Sequence, residues 1–188
     1  MSVPTGFCYY RGVYAQQVEG AFRAFDKLFA AVKPVRVLEI GTAGGGFTTM
    51  LKDGLPDAEI VSYDIAERPV YASLRERGVK VVIQDFFTVP DLMKNFIQAP
   101  GLTLVLCDGG NKIKEFKTIA PFLKKGDIIM AHDYIDTDEN FRANYLDKIW
   151  NWREIGDEDI ATACVENGLK PFMKATFDPV VWVCRQKQ

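Results

Sequence analysis

The chain has 188 residues, 48% of them hydrophobic and 26% charged, with a net charge of -2. That is the make-up of an ordinary soluble globular protein with enough chain to bury a core. The charge balance gives no overall pull toward nucleic acid or an anionic membrane. No apolar run approaches the ~18 residues of a membrane span.

Met1 to Gly6 carries neither the basic start nor the apolar stretch of a signal peptide. Cys8, Cys107, Cys164 and Cys184 form no C-x-x-C pair, and His132 is the single histidine. A zinc site or a multi-histidine centre is therefore not expected. Cys107 and Cys184 lie in apolar runs and read as buried thiols. A reducing, cytoplasmic setting fits.

In chain order, Val18, Phe22, Phe25, Phe29 and Val32 recur at helical steps, which predicts an amphipathic helix from Ala15 to Val32. Lys33-Pro34 ends it. Val35 to Ile40 reads as a central strand buried on both faces. A helix from about Phe47 stops near Asp53-Gly54. Glu59 to Asp64 is a second strand, and Val70 to Arg77 a helix closed by Gly78. Val79 to Ile83 is a third strand, followed by a helix from Asp91 to Ile97. Leu102 to Asp108 is a fourth strand, Glu115 to Leu123 a helix, and Ile128 to His132 the fifth strand. Asp138 to Arg153 and Asp157 to Glu166 read as helices. Leu169 to Phe177 and Val180 to Cys184 read as two strands joined by a turn at Asp178-Pro179.

This alternation predicts an α/β fold. Its doubly wound, Rossmann-like, mostly parallel seven-stranded sheet has helices on both faces and a C-terminal antiparallel hairpin. A single domain over 1–188 divides into an N-terminal cap segment and helix (1–34), a cofactor-binding core (35–135), a helical lid segment (136–168) and the hairpin (169–188). On such a topology ligands bind at the carboxyl ends of the strands, at a switch point. Glu39, Asp64, Asp85, Asp108 and Asp133 all fall at or near strand ends and converge on that rim.

The most informative stretch is Val37 to Phe47, where a strand ending on an acid breaks into a glycine loop before a helix. Glycine there permits a sharp turn with φ > 0 and lets a ligand approach the backbone without meeting a Cβ. The helix N-terminus beyond offers unpaired N–H groups. A nucleotide-like ligand follows. Gly41-x-Ala43-x-x-Gly46 also fits the dinucleotide fingerprint with Ala for its second Gly, and Asp64 lies where an NAD-binding acid is expected.

Five βα units and a terminal hairpin, with these motifs in order over roughly residues 35–185, resemble the class I S-adenosylmethionine-dependent methyltransferases. Val37 to Gly45 is similar to that family's first motif, and Asp64 to its ribose-binding acid. Asp85 is similar to its adenine-side acid, Cys107-Asp108-Gly109-Gly110 to its fourth motif, and Phe122 to Ile129 to the approach to its fifth strand. Within the class, Gly41 to Gly46 and His132-Asp133-Tyr134 are most similar to the small-molecule and sugar O-methyltransferase branch that includes the cephalosporin hydroxylase-like proteins. That branch's Asp-Gly-x-His loop reads Asp108-Gly109-Gly110-Asn111 here, so its histidine is replaced.

The resemblance implies a cofactor set of Glu39, Gly41, Thr42, Ala43, Gly44, Gly45, Asp64, Ile65, Asp85, Phe86 and Asp108 around S-adenosylmethionine. Glu39 would order the loop or hold the ammonium group. Asp64 would take the ribose diol. Asp85 and Phe86 would meet the adenine, with an N-cap role open for Asp85. Asp108, His132 and Lys112 are the catalytic candidates. His132 has the pKa of a base, whereas Lys112 could act as one only if burial depressed its pKa. A divalent cation such as magnesium on Asp108 and Asp133 is the metal candidate. The aromatics Phe7, Tyr9, Tyr10, Tyr14, Trp150 and Trp152 could line an acceptor lid.

The implied activity is O-methylation of a small-molecule or sugar hydroxyl by in-line methyl transfer, with no nucleic acid or membrane partner and a homo-oligomer open. The alternatives are an NAD-dependent oxidoreductase and a catalytically silent cofactor-binding subunit.

Overall fold

The computed structural model describes residues 8–18, 20–148 and 151–188. Its elements, in chain order, begin with a short antiparallel pair, β1 (Tyr9–Tyr10) and β2 (Val13–Tyr14), and helix α1 (Ala21–Ala31). Alternating units follow: β3 (Arg36–Ile40), α2 (Gly46–Gly54), β4 (Glu59–Asp64), α3 (Val70–Glu76), β5 (Lys80–Ile83), α4 (Pro90–Gln98), β6 (Thr103–Cys107), α5 (Lys112–Ile119) and β7 (Ile128–Ala131). The last part comprises α6 (Asp138–Asn144), α7 (Asp157–Glu166), β8 (Leu169–Pro171), α8 (Lys174–Phe177) and β9 (Val183–Lys187).

Seven strands form one sheet in the order β5-β4-β3-β6-β7-β9-β8. The five from β3 to β7 are parallel, while β9 runs antiparallel to both β7 and β8. Every residue of β3 is buried, as a strand covered on both faces requires. Its alternation splits the core. Val37 packs with α1, α2 and α3 through Phe25, Met50 and Tyr71, while Leu38 and Ile40 pack with α4 and α5 through Ile97 and Phe116. The chain leaves β3 toward β4 on one side and returns to β6 on the other, so the switch point lies between β3 and β6.

Three expectations need correction. The first helix starts at Ala21, not Ala15, because Gln16 (φ 52) and Gly20 (φ 93) are left-handed and hold the preceding segment out of the helix. The helix from Asp138 ends at Asn144, and Asp147 turns left-handed beyond it. Ile155 then bridges to Tyr134 beside the sheet. The terminal strands pair antiparallel, but no two-residue turn joins them. The chain leaves β8 at Pro171, forms α8 and a 3₁₀ turn at Asp178–Val180, and buries Phe177, Val181 and Trp182 completely before entering β9. Burial of those side chains on the α1 side of the sheet outweighs the strand-like pattern. Cys107 and Cys184 are buried thiols as expected. No helix among the described residues is long and apolar enough to cross a membrane.

Candidate active site

The glycine loop leaves β3 at Gly41 (φ 95) and enters α2 through Gly45 (φ 77), two conformations that favour glycine. Chain-on-chain packing explains three of the glycines. A Cβ on Gly41 would overlap the carbonyl of Asp108, and one on Gly44 or Gly46 would overlap the β2 backbone at Val13 and Tyr14. The space that the sequence reserves for a ligand at Gly44 and Gly46 is filled by the N-terminal hairpin. Gly41 still borders an open cleft on its other side.

Polar side chains stitch the loop to β4. The backbone N–H groups of Gly41 and Thr42 donate to the Tyr63 carbonyl. A run of hydroxyls links Thr42 to Ser62 (2.6 Å), and Ser62 and Thr48 (2.7 Å) both donate to one oxygen of Glu39. Its other oxygen, Oε1, is buried with no partner among the described residues. Burial pushes the Glu39 pKa up to about 7; the two hydroxyl donors oppose the rise, and the charges of Asp108 and Asp64 add to it. Ala43, a non-glycine residue at φ 44, is pinned by its N–H to Asp64 Oδ2 (2.8 Å), which also accepts from the Tyr71 hydroxyl (2.6 Å).

A cleft of about 380 Å³ opens at the switch point. Gly41, Asp64, Ile65, Arg68, Asp85, Phe86 and the Gly109-Gly110-Asn111 turn are among the residues that line it. Ile65 is 81% exposed at its edge, while Phe86 is buried against Tyr63. Asp85 lines the cleft and also caps the 3₁₀ turn Phe86–Thr88, accepting from the Phe87 N–H at 2.9 Å. The N-cap reading of Asp85 holds, and its side chain also borders the cleft. Asn111 accepts from the Lys114 N–H and caps α5, and Glu115 accepts from the N–H groups of Gly109 and Asn111. At the position of the missing histidine, the turn thus has a capping side chain.

Past the cleft, the carboxyl ends of β6 and β7 bring Asp108, Lys112, His132 and Asp133 together. His132 Nδ1 lies 3.0 Å from Asp108 Oδ1 and 3.6 Å from Asp133 Oδ1. A carboxylate only accepts, so Nδ1 carries the proton and Nε2 is left with the lone pair when the ring is neutral. Nε2 is buried without a partner among the described residues. Burial disfavours the imidazolium, but Asp108 and Asp133 outweigh it, so the His132 pKa is raised. For Asp133, burial opposes ionisation, yet His132 and Lys112 lower its pKa.

Lys112 does not meet the condition for a base. Its ammonium contacts Glu154 (2.6 Å), Asp133 (3.0 Å) and the Gly109 carbonyl (3.2 Å), which occupies all three N–H donors. Burial alone would lower its pKa, but Asp133, Asp108 and Glu154 reverse that and raise it.

Three members of this cluster were not legible. Gln17 donates to Asp108 Oδ2 (3.1 Å) and accepts from the Trp182 indole N–H (2.8 Å). Glu154 faces Lys112 from beyond α6. Gln17 falls inside the helix expected from Ala15 to Val32, Glu154 just past the one expected to end at Arg153, and Trp182 in an apolar strand pattern, so spacing carries no signal for them. Of the lid aromatics, Tyr10 packs edge-on against Phe22 of α1 (5.1 Å), Tyr9 tilts on Tyr14 (5.5 Å), and Trp152 is 60% exposed. Phe7 and Trp150 lie outside the described residues.

The FtsJ-like methyltransferase family model matches residues 18–149, more than half of the chain. The chain belongs to the FtsJ-like methyltransferase family. No curated protein matches the sequence. Among solved structures, ligand-free CmcI is similar at 15% identity and a TM-score of 0.68, covering 96% of this chain and 76% of that one. CmcI with magnesium and S-adenosylmethionine is similar at 15% identity and 0.64, over 95% and 76%. Human N-acetylserotonin methyltransferase with S-adenosylmethionine is similar at 18% and 0.56, over 88% and 51%. At such identities the likeness is one of fold. The family match displaces the NAD-dependent oxidoreductase alternative.

The acceptors present would suit an adenosyl cofactor: Glu39 has an unpartnered buried oxygen, and Asp64 and Asp85 line the cleft. The chain's donor set suits a hard divalent cation less well. Asp108, His132 and Asp133 bring ligand atoms within 4.8 Å of one another. Their facing atoms are already engaged with Lys112, Gln17 and each other.

Proposed function

We propose that this chain uses S-adenosylmethionine to methylate a hydroxyl oxygen of a small molecule or sugar, with His132 as general base oriented by Asp108. The observation that carries this reading is the Asp108–His132 pair beside the cleft, with Nδ1 tied to the carboxylate and Nε2 unpartnered. When bound, S-adenosylmethionine would supply an electrophilic methyl group on a sulfonium sulfur, which keeps the electron pair of the carbon–sulfur bond and leaves as a neutral thioether.

The chain's own residues supply positioning and a proton acceptor. Asp64 fixes the loop through Ala43 and keeps Oδ1 for a diol, apart from a 3.1 Å contact with the Ala66 N–H. Asp85 Oδ2 is not engaged by the cap and is available to an amino group. Ile65 and Phe86, both in the cleft lining, offer apolar surface to a ring. Gly41 borders the cleft, and the loop that it opens is ordered by Glu39 through Thr48 and Ser62. His132 Nε2 takes the proton of the acceptor hydroxyl as the new bond forms. Asp108 and Asp133 stabilise the resulting imidazolium.

The test is a thermal-shift titration followed by turnover. S-adenosylmethionine and S-adenosylhomocysteine should raise the melting temperature by mass action, and NAD should not. A panel of hydroxylated acceptors should then release S-adenosylhomocysteine above the background without acceptor. Absence of any shift with either adenosyl compound would sink the methyltransferase reading. A shift without turnover on any acceptor, unchanged in His132→Asn, would favour a silent cofactor-binding subunit.

A further inference from the structure

The carboxyl rim contains a cation of its own. Lys112 leaves the first turn of α5 and is buried, with a side chain 7% exposed. Its ammonium reaches three segments at once: the end of β6 through the Gly109 carbonyl, the end of β7 through Asp133, and the stretch before α7 through Glu154. Asp108 lies at 3.9 Å. Three carboxylates therefore converge on one ammonium, and each of its N–H bonds has a partner.

We infer that Lys112 is the resident cation of this rim, holding Asp133 and Glu154 where a divalent ion would otherwise lie, and that the site works without a bound metal. The inference deepens the methyltransferase reading and rests on it only for turnover. A hard cation needs about six oxygen ligands with free lone pairs. Here Asp108 gives one oxygen to His132 and the other to Gln17, and Asp133 gives one to Lys112. His132 turns its protonated Nδ1, not its lone pair, toward Asp108 and Asp133, donating to Asp108. An ion on Asp133 would stand within about 5 Å of the ammonium, and two like charges that close in a buried site repel strongly. The backbone supports the same arrangement. Asp133 is a non-glycine residue at φ 54, a strained conformation that aims its carboxylate at Lys112. In chemical terms, the ammonium fixes the rim's geometry, and proton removal rests on His132.

The experiment titrates manganese chloride into the full chain, read by calorimetry and melting temperature, without cofactor or acceptor. The wild type should show no saturable binding up to about 1 mM, and its turnover should be indifferent to EDTA. Lys112→Met removes the charge at similar length, releases Asp133 and Glu154, and should create saturable manganese binding on those two carboxylates. One-to-one binding to the wild type, or turnover lost in EDTA and regained with magnesium, overturns the inference. So does a folded Lys112→Met that takes up no manganese. If that variant does not fold, the wild-type titration decides alone. Because that titration uses no adenosyl compound, a failure of the methyltransferase reading would leave it standing.

Discussion

The imidazole of His132 lies over the indole of Trp182, with centroids 4.8 Å apart and planes at 26°. Phe47 of α2 also stacks on Trp182, at 5.5 Å and 25°. The contacts form a closed circuit. Trp182 donates its N–H to Gln17, Gln17 donates its amide to Asp108, and Asp108 accepts from the imidazole that Trp182 carries. An indole N–H can only donate, so it fixes which end of the Gln17 amide faces Asp108. The base is held by packing on its face and by hydrogen bonding at one edge.

Trp182→Phe keeps an aromatic face for His132 but removes the N–H and part of the buried ring volume. It should cost about 1–3 kcal/mol and lower kcat, with the affinity for S-adenosylmethionine little changed. Trp182→Ala should cost about 3–5 kcal/mol, because a fully buried indole leaves a cavity. Urea unfolding of both variants checks this. Equal destabilisation by the two would show that the stacked ring contributes nothing.

A base works when neutral, and the His132 pKa lies above its ordinary value. Activity should therefore be low in acid and rise as pH climbs through that raised pKa. His132→Asn should lower kcat by about 10²–10⁴ without weakening cofactor binding. Gln17→Glu places a further carboxylate against Asp108 and should move the rising limb to higher pH. A profile of kcat/KM against pH measures all three. A limb unmoved in Gln17→Glu would detach Gln17 from the base.

What the sequence revealed followed physical range. The central strand and its glycine loop are local, so hydrophobic continuity and φ demands at Gly41 and Gly45 announced them. Asp64, Asp85, Asp108, His132 and Asp133 stand at strand ends, and the parallel topology alone brings them to one rim. Gln17 and Trp182 are 165 residues apart and meet through an N-terminal segment that left its expected helix. No local pattern encodes that meeting. The loop shows the reverse error. Gly44 and Gly46 announced close approach correctly, but the approaching group is the β2 backbone.

Asp64→Asn should loosen both the loop and the ligand. It removes the charge that holds the Ala43 N–H and the Tyr71 hydroxyl, and Ala43 needs that anchor to stay left-handed. Affinity for S-adenosylmethionine should fall about 10–100-fold, the worth of one or two charge-assisted hydrogen bonds. Tyr71→Phe leaves the carboxylate in place and should weaken binding far less. Calorimetric titration of the two variants would contradict this assignment if their losses were equal.

Glu39 links stability to pH in a direction opposite to a salt-bridged acid. Its folded pKa of about 7 stands above the ordinary 4.5 because burial disfavours the carboxylate. The folded state therefore holds this proton more tightly than the unfolded chain. That contribution is fully present below about pH 4.5 and is lost as pH rises toward 7. At pH 8 the deficit is on the order of 3 kcal/mol. Glu39→Gln cannot ionise, and its amide oxygen can still accept from Thr48 and Ser62. The variant should melt at a higher temperature than the wild type at pH 8 in the absence of ligand, and the gap should close near pH 5. If Oε1 faces the cofactor's ammonium, the same variant should bind S-adenosylmethionine at least tenfold more weakly. Melting curves from pH 5 to 8, with and without the cofactor, separate the two effects. A Glu39→Gln protein less stable than the wild type at pH 8 would mean that the buried carboxylate is already satisfied without ligand.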